Sequence, residues 1–209
     1  MAELKLFKMV LGPIGTNVYF LMNEDTRQMI IVDPADEAQT IIENVRECGG
    51  IPVAIYLTHG HHDHIEAADA VRREFDIPVI AHEEEQTVLN DPSLNMSGFY
   101  GTKVSIQADK TVKDGDELDY AGLHCVVMHT PGHTWGSVCY YFPENKLLIS
   151  GDTLFQFSYG RVDFATSNAQ DMQNSIKRIL TELPEDVTAC PGHMGYTTIQ
   201  AEKRYNPLA

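Results

Sequence analysis

The chain has 209 residues, which is the size of one domain and enough to bury a substantial core. Its 15 Lys and Arg against 30 Asp and Glu give a net charge of -15, and an acidic surface repels the phosphates of nucleic acid. Residues 120–143 lack charge, but three histidines, a proline and several glycines argue against a membrane helix there. We therefore expect a single domain over residues 1–209, with neither nucleic acid nor a membrane as partner.

The first half of the chain alternates short apolar runs with amphipathic segments. Strands are predicted over residues 4–10, 18–22, 29–32, 53–57 and 78–81. Helices are predicted around the apolar face of Ile41, Ile42, Val45 and Cys48, over residues 65–75, and as one or two turns within residues 83–89. Residues 90–107 are predicted to be a surface loop, which is either a simple connection or a wall of a substrate cleft.

The second half begins with strands and ends with helices. One hairpin is predicted from residues 117–120 and 124–128, another from 137–142 and 146–149, followed by a long loop over residues 151–166. Ser167 and Gln170 fit a capping box before a helix that extends to Leu183, and a strand over 187–190 and a helix over 199–205 complete the chain. The pattern itself indicates mixed α and β structure in two similar halves.

A histidine-rich motif follows the strand predicted over residues 53–57. It contains four good metal ligands: His59, His61, Asp63 and His64. In an extended loop His59 and His61 point the same way, which leaves Asp63 and His64 free to turn toward a second ion. Imidazole and carboxylate suit zinc, iron or manganese. A solvated histidine-rich turn is the alternative, and it would lack ligands elsewhere in the chain.

Three later loops repeat one design, in which a strand end is followed by a glycine and a ligand-type residue. They supply His133 after Thr130-Pro131-Gly132, Asp152 after Ser150-Gly151, and His193 after Cys190-Pro191-Gly192. Three coincidences of this kind are improbable, so the loops support the metal site. The four cysteines are instead predicted to be small buried side chains: Cys48, Cys125, Cys139 and Cys190. No signal peptide is recognisable, so a cytoplasmic location is expected.

The motif His59-x-His61-x-Asp63-His64, with His133, Asp152 and His193, resembles the full ligand set of the metallo-β-lactamase superfamily. The resemblance covers nearly the whole chain and implies an α+β fold, a four-layer αβ/βα sandwich. Residues 151–155 and Gly160-Arg161-x-Asp163 resemble the hydroxyacylglutathione hydrolase (glyoxalase II) branch in its small, single-domain form. Larger members add a C-terminal helical domain that helps hold glutathione, and we expect none in this chain.

The resemblance also implies roles for the ligands. His59, His61 and His133 would hold one divalent metal, Asp63, His64 and His193 a second, and Asp152 would bridge both, with zinc favoured over iron or manganese. A hydroxide shared by the metals would attack a thioester carbonyl, and Asp63 would help to orient it. Asp63 and Asp152 are therefore the predicted catalytic residues, and S-lactoylglutathione or a related small-molecule thioester is the predicted substrate.

Other interpretations stay open at this stage. Persulfide dioxygenases resemble the same pattern but use one iron, here on His59, His133 and Asp152. A β-lactamase is also possible, whereas the acidic charge argues against a tRNA-processing nuclease. Arg161 would either hold the anionic end of the substrate or pair with Asp163 and shape the loop. Trp135 is expected in the core, and the remaining histidines are expected to have structural or supporting roles: His62, His82, His124 and His129.

Overall fold

The computed structural model describes residues 3–209, and residues 1 and 2 of the predicted domain lie outside this range. The strands are β1 Leu4–Leu11, β2 Thr16–Asn23, β3 Gln28–Val32, β4 Ile51–Tyr56, β5 Val79–His82, β6 Lys110–Val112, β7 Glu117–Tyr120, β8 Leu123–His129, β9 Val138–Phe142, β10 Leu147–Gly151, β11 Leu154–Phe155, β12 Ser158–Tyr159, β13 Thr188–Pro191 and β14 Thr197–Thr198. The helices are α1 Ala38–Cys48, α2 His62–Ile65, α3 Ala68–Phe75, α4 Gln86–Asn90, α5 Ser97–Tyr100, α6 Ala169–Glu182 and α7 Ile199–Tyr205.

Two six-stranded sheets form the centre of the fold. The first has the order β1-β2-β3-β4-β5-β6 and the second the order β14-β13-β10-β9-β8-β7. Each sheet combines antiparallel hairpins with parallel pairs, among them β3 with β4 and β10 with β13. A separate short hairpin of β11 and β12 leaves the second sheet after β10.

Strand alternation explains how the layers pack. In β2, Tyr19 and Leu21 belong to a buried cluster shared with the second sheet, whereas Val18, Phe20 and Met22 belong to the cluster beneath α1 and α3. Residues two apart along a strand face the same side, so one strand can serve two cores. A strand buried on both faces reads as a continuous apolar run, which β2 does over most of its length.

The helices cover the outer faces of both sheets. On the first sheet α1 contributes Ile41 and Val45, and on the second sheet α6 contributes Met172, Ile176 and Ile179 to a separate buried cluster. Their spacing of three and four residues places these side chains on one helical face. The layers are thus helix, sheet, sheet, helix, and the predicted four-layer αβ/βα sandwich is confirmed.

Several local predictions were wrong. The helix expected over residues 65–75 is split into α2 and α3, and Asp63 and His64 lie on α2 instead of an extended loop. The surface loop over 90–107 contains α5, and the long loop over 151–166 contains the β11–β12 hairpin. The short strand β6 was not predicted, because its sequence Lys110-Thr111-Val112 has little apolar character.

The side-chain environment of two further residues also differs from prediction. Trp135 is 41% exposed and therefore does not pack in the core. Cys48 is only partly buried, whereas the other three cysteines are buried as predicted. No helix within residues 3–209 is both long and apolar enough to span a membrane.

The start of α6 is set by Asn168 and not by the predicted capping box. The Asn168 side chain accepts hydrogen bonds from the backbone N–H groups of Gln170 (2.9 Å) and Asp171 (3.1 Å). Ser167 instead donates its hydroxyl hydrogen to the carbonyl oxygen of His133 at 2.7 Å. The helix therefore begins one residue later than a capping box at Ser167 requires.

Removing this cap should lower the stability of the protein measurably. We expect Asn168→Ala to reduce the free energy of unfolding by about 1 kcal/mol, because two backbone donors lose their acceptor. Urea denaturation followed by circular dichroism measures this change. The matched variant Gln170→Ala alters an exposed helix residue and should change stability by less than about 0.5 kcal/mol. A larger loss in Gln170→Ala than in Asn168→Ala would instead support the capping box.

Candidate metal centre

Seven histidine and aspartate side chains from both sheets converge at one place in the fold. Four of them follow β4 of the first sheet, and the others follow β8, β10 and β13 of the second sheet. A hydrogen bond of 2.9 Å from Val138 N to the Thr58 carbonyl oxygen joins the two sheets beside this point. The structure brings together all seven predicted ligands: His59, His61, Asp63, His64, His133, Asp152 and His193.

Three histidines form what we term the first ligand group: His59, His61 and His133. Their ligand atoms lie within 4.8 Å of one another, and all three side chains are buried. His61 Nδ1 is 2.8 Å from His133 Nε2. This is the same set that the resemblance assigned to one metal ion.

Asp63, His64 and His193 form the second ligand group, and their ligand atoms also lie within 4.8 Å of one another. His193 Nε2 is 3.3 Å from Asp63 Oδ2 and 3.4 Å from His64 Nε2. Asp63 and His64 are adjacent on the first turn of α2, and His193 reaches them from the loop after β13. The helix, which the sequence did not predict, thus supplies two members of this group.

The carboxylate of Asp152 lies between the two groups. Its Oδ2 atom is 3.5 Å from His133 Nε2 and 3.5 Å from His193 Nε2, and its Oδ1 atom is 3.4 Å from His64 Nε2. Gly192 allows this close approach, since a Cβ atom there would collide with Asp152 and His64. The carboxylate therefore has the position that a bridging ligand requires.

Hydrogen bonds on the outer side of the rings fix which nitrogen faces the centre. His133 Nδ1 lies 2.8 Å from the Arg161 carbonyl oxygen and His64 Nδ1 lies 2.9 Å from Asp33 Oδ2. Both oxygens can only accept, so in the neutral rings Nδ1 holds the hydrogen and Nε2 presents a lone pair inward. Metal-binding histidines in proteins are oriented by outer partners of this kind.

The same reasoning applies to His59 through Thr58. The Thr58 hydroxyl donates to Asp33 Oδ2 at 2.6 Å, which leaves its oxygen to accept from His59 Nδ1 at 3.2 Å. His59 Nε2 then carries an inward lone pair, and this atom is buried without a hydrogen-bond partner, as is Asp152 Oδ1. Burying a polar atom without a partner is costly, whereas a metal cation at the centre would satisfy both atoms. The donor set therefore fits a metal ion.

Burial and charge shift the pKa values of the ligand-type side chains in both directions. Burial, followed by the neighbouring imidazoles, lowers the pKa of His59 and His61 well below the usual range. Burial opposes the charge of Asp63 and Asp152, but the adjacent histidines, His64 foremost, outweigh it and lower the pKa of both carboxyls. Burial also opposes the charge of His64 and His193, but the carboxylates of Asp63 and Asp152 outweigh it and raise the pKa of both imidazoles, so a cation that binds there must displace their protons.

A cavity of about 480 Å³ opens onto the ligand groups. Its walls combine ligand side chains with apolar ones, and the latter are Ile14, Met96, Tyr100, Phe155, Phe164 and Met194. Met96 and Tyr100 come from the segment that the sequence left open as a connection or a cleft wall, and here they form a wall. Pockets of this size and composition commonly hold small molecules.

A family model described as the metallo-beta-lactamase superfamily matches residues 11–193. The chain belongs to the metallo-β-lactamase superfamily. The matched segment covers most of both sheets and includes all seven ligand-type side chains. The family that the sequence motif resembled is thus confirmed, and members of this metallo-hydrolase superfamily are typically metal-dependent enzymes.

Two curated superfamily members are similar over nearly their whole lengths. The probable metallo-hydrolase YqgX of Bacillus subtilis (strain 168) is 41% identical over 207 residues, which cover 98% of this chain and 97% of that protein. The hydroxyacylglutathione hydrolase GloC of Haemophilus influenzae is 32% identical over 192 residues, which cover 90% of each chain. The latter gives the glyoxalase II branch limited support.

Solved structures of the superfamily share the fold closely. The B3 metallo-beta-lactamase BLEG-1 is 39% identical with a TM-score of 0.92, covering 97% of this chain and 98% of that one. The di-iron-bound form of TTHA1623 is 31% identical with a TM-score of 0.87 (97% and 100%). ETHE1 from Myxococcus xanthus is 28% identical with a TM-score of 0.82 (97% and 83%).

Within this superfamily fold, the supporting residues around the ligands were not identified from the sequence. Asp33 follows β3 and accepts hydrogen bonds from the backbone N–H (2.8 Å) and the hydroxyl of Thr58. Its carboxylate also faces His64. Thr16 donates to Asp63 Oδ2 at 3.0 Å. The segment Val32-Asp33-Pro34 was the one signal in the sequence that pointed to Asp33. Its role could not be predicted, because it depends on a contact with His64, which lies 31 residues later in the chain.

Arg161 lines the cavity and also pairs with Asp163. Its Nε and Nη2 atoms donate to the two Asp163 carboxylate oxygens at 2.9 and 2.8 Å, and its guanidinium lies 4.4 Å from the centre of the Phe164 ring. The pairing left open as the structural alternative is therefore present. About two thirds of both side chains is exposed, so this pair contributes little stability.

The other histidines lie outside the ligand groups. His62 lines the cavity and stacks on Tyr100, with the ring centres 4.2 Å apart. His82 stacks on His129 at 4.0 Å, and His124 pairs with Asp119 at the surface. These positions agree with the structural and supporting roles expected for them.

Metal content should test whether Asp152 bridges the two groups, as predicted, or serves only one of them. We expect Asp152→Ala to lose metal from both groups, because its carboxylate faces both, whereas His193→Ala should lose mainly the second ion. Elemental analysis after reconstitution and gel filtration measures this difference. His124→Ala, which removes a histidine outside the groups, is the control. Wild-type metal content in both ligand variants would rule out these ligand assignments.

Proposed function

We propose that the protein is a dinuclear metal-dependent hydrolase of thioesters, with S-lactoylglutathione or a related thioester as substrate. The observation that carries the proposal is the carboxylate of Asp152 between two complete ligand groups. GloC, a hydroxyacylglutathione hydrolase, and TTHA1623, which has a di-iron-bound form, are the relatives that support it. Zinc is the preferred metal, and iron or manganese would suit the same nitrogen and oxygen donors.

The side chains of the two groups have separate tasks in this reaction. Two divalent ions, when bound, lower the pKa of a water molecule toward neutrality and polarise the carbonyl oxygen of the substrate. Asp63, which accepts a hydrogen bond from the Thr16 hydroxyl, would accept another from the attacking water and so fix the direction of attack. Asp152 holds the two groups at a fixed separation. A thiolate is a good leaving group, so cleavage requires no general acid.

The cavity walls bear on which thioester fits. The apolar residues around the mouth, among them Ile14, Tyr100 and Met194, are 44–59% exposed and can contact the hydrocarbon part of a substrate. Arg161 is the only lysine or arginine among the described residues that line the cavity. A substrate with an anionic end, such as a glutathione thioester, would therefore turn that end toward Arg161.

The alternative is a persulfide dioxygenase that uses a single iron. It is favoured by the likeness to ETHE1, a protein of that class, and by the closeness of His133 Nε2 and Asp152 Oδ2 at 3.5 Å. This interpretation uses only His59, His133 and Asp152, and gives the second ligand group no role. We prefer the dinuclear proposal because Asp63, His64 and His193 form a second group whose ligand atoms lie within 4.8 Å of one another.

Metal analysis with an anaerobic assay tests the two functions against each other. The dinuclear proposal predicts about two metals per chain and hydrolysis of S-lactoylglutathione at the same rate with and without oxygen. The dioxygenase predicts one iron, oxygen consumption with glutathione persulfide and no anaerobic thioesterase activity. Because BLEG-1 is a B3 metallo-β-lactamase, a β-lactam is assayed in parallel. Preferential turnover of the β-lactam would overturn the thioesterase proposal while leaving the metal assignment intact.

Substitution of Arg161 tests its proposed contact with the substrate. We expect Arg161→Ala to raise KM for a glutathione thioester about three- to tenfold, with little change in kcat, because an exposed charged hydrogen bond is lost. A small uncharged thioester should be affected far less. Asp163→Asn removes the charge and one of the two acceptor oxygens that hold the guanidinium, and should lower KM for the anionic substrate.

Arg204→Ala serves as the control for Arg161→Ala, because it removes an exposed positive charge on α7, outside the cavity walls. Equal losses with charged and uncharged substrates, or loss of metal in Arg161→Ala, would identify Arg161 as a structural residue. The single-domain organisation over residues 1–209, the small-molecule partner, the absence of nucleic-acid and membrane partners, and the cytoplasmic location stay predictions.

A further inference from the structure

Glu85 is a carboxylate buried in the core next to the first ligand group. It ends a single 3-10 turn after β5 and directly precedes α4, and its side chain is inaccessible to solvent. The two residues before it, Glu83 and Glu84, are exposed, so the burial of the third is a specific feature of the packing. Carboxylates are almost never fully buried unless their oxygens are paired.

Three uncharged donors satisfy the two oxygens of Glu85. Oε1 accepts a hydrogen bond from Gly60 N at 2.6 Å, and Oε2 accepts from Thr134 Oγ1 at 2.9 Å and from Gly136 N at 2.8 Å. Burial raises the pKa of Glu85 to about 7, and the three hydrogen bonds act in the opposite direction. An ionised carboxylate can accept from all three donors at once, which is the arrangement seen here.

The donors belong to the two segments that carry the first ligand group. Gly60 lies between His59 and His61, and Thr134 directly follows His133. One oxygen of Glu85 therefore holds the loop after β4, and the other holds the loop after β8. Because these loops belong to different sheets, the carboxylate links the sheets at the point where the three histidines meet.

The packing around Glu85 leaves little freedom for either loop. A Cβ atom at Gly136 would collide with the backbone of Glu85, so this loop lies directly against the chain at that residue. Thr134 is itself fixed by the Ser137 hydroxyl, which lies 2.7 Å from Thr134 Oγ1 and accepts from Thr134 N at 3.0 Å. A displacement of the carboxylate would therefore be transmitted to the segment that holds His133.

We propose that Glu85 is a positioning residue that sets the distance between the His59–His61 loop and the His133 loop, and thereby the metal affinity of the first ligand group. The inference rests on the proposed metal-dependent function. Glu85 itself touches no ligand atom and acts through the backbone of Gly60 and through Thr134. Residues that hydrogen-bond directly to metal ligands typically change metal affinity about 10- to 100-fold when they are replaced, and Glu85 acts one contact further out.

The variant Glu85→Gln gives the sharpest test, since it keeps the size of the side chain. Its amide oxygen can replace one carboxylate oxygen, but its NH₂ group must then face a backbone N–H, either that of Gly60 or that of Gly136. We expect the affinity for Zn²⁺, measured by competition with a chromophoric chelator, to fall about tenfold, the lower end of that range. Glu84→Gln removes the same charge from the exposed neighbour and should bind Zn²⁺ as the wild type does.

Melting temperatures separate positioning from a purely structural role. Metal that binds the folded state raises the melting temperature according to its affinity, so Glu85→Gln should show a smaller rise on adding Zn²⁺ than the wild type. Equal losses of stability in metal-free and metal-loaded protein, with unchanged Zn²⁺ affinity, would overturn the inference. Should Glu85→Gln fail to fold, Thr134→Val removes one donor from the same carboxylate and is expected to weaken Zn²⁺ binding to a smaller extent.

The same measurements distinguish this inference from the proposed function. A wild-type protein that bound no Zn²⁺, Fe²⁺ or Mn²⁺ would overturn both together. Normal binding by the wild type and by both Glu85→Gln and Thr134→Val would overturn the role of Glu85 alone and leave the dinuclear proposal intact.

Discussion

The arrangement of the molecule depends on the crowding of buried polar atoms around the Asp152 carboxylate. Imidazole nitrogens of His64, His133 and His193 lie 3.4–3.5 Å from its oxygens, and His59 Nε2 lies nearby with no hydrogen-bond partner. In a medium of low polarity, two carboxylates and several imidazole lone pairs are costly unless positive charge balances them, either from protons on His64 and His193, whose pKa values are raised by the neighbouring carboxylates, or from a metal cation. The site is thus stable only as part of a rigid scaffold that holds the groups together, or with the cation in place.

The scaffold meets this requirement by using the carboxyl ends of parallel strands. β3 leads to Asp33, β4 leads to Thr58 and His59, and β10 and β13 lead to Asp152 and His193. Side chains on such loops are held in place by the preceding strands, which are buried on both faces. The outer hydrogen bonds of Asp33, Thr58 and the Arg161 carbonyl group then orient the rings of His64, His59 and His133.

The parts of this arrangement that are local in sequence could be predicted, and the parts that depend on distant contacts could not. The candidate ligands could be recognised because each segment that carries them follows a strand and most contain a glycine, and the layers were expected from the family resemblance and the apolar pattern. The burial of Glu85 could not be foreseen, since Glu83-Glu84-Glu85 has the composition of a solvated turn. Its environment is created by Gly60 and by Thr134 and Gly136, which are 25 to 51 residues away.

Two other errors have the same origin. The cap of α6 falls on Asn168 because Ser167 is engaged by the carbonyl group of His133, 34 residues earlier in the chain. Trp135 has a large apolar side chain, but it lies on the loop that Thr134 and Gly136 fix against Glu85, and the residue is 41% exposed there. In both places a tertiary hydrogen bond decides an outcome that local preference leaves open.

The division of the ligands between the two sheets has a mechanical consequence. His59 and His61 follow a strand of one sheet, and His133 follows a strand of the other. An ion bound to all three would therefore link the two sheets. Such an ion would join His61 to His133, which are 72 positions apart in the sequence. A crosslink that closes a long loop removes more conformational entropy than one that closes a short loop. The chain has four free cysteines and no disulfide among its described residues. Metal would then serve this protein as a removable crosslink, so that metal supply in the cell would govern its lifetime as well as its chemistry.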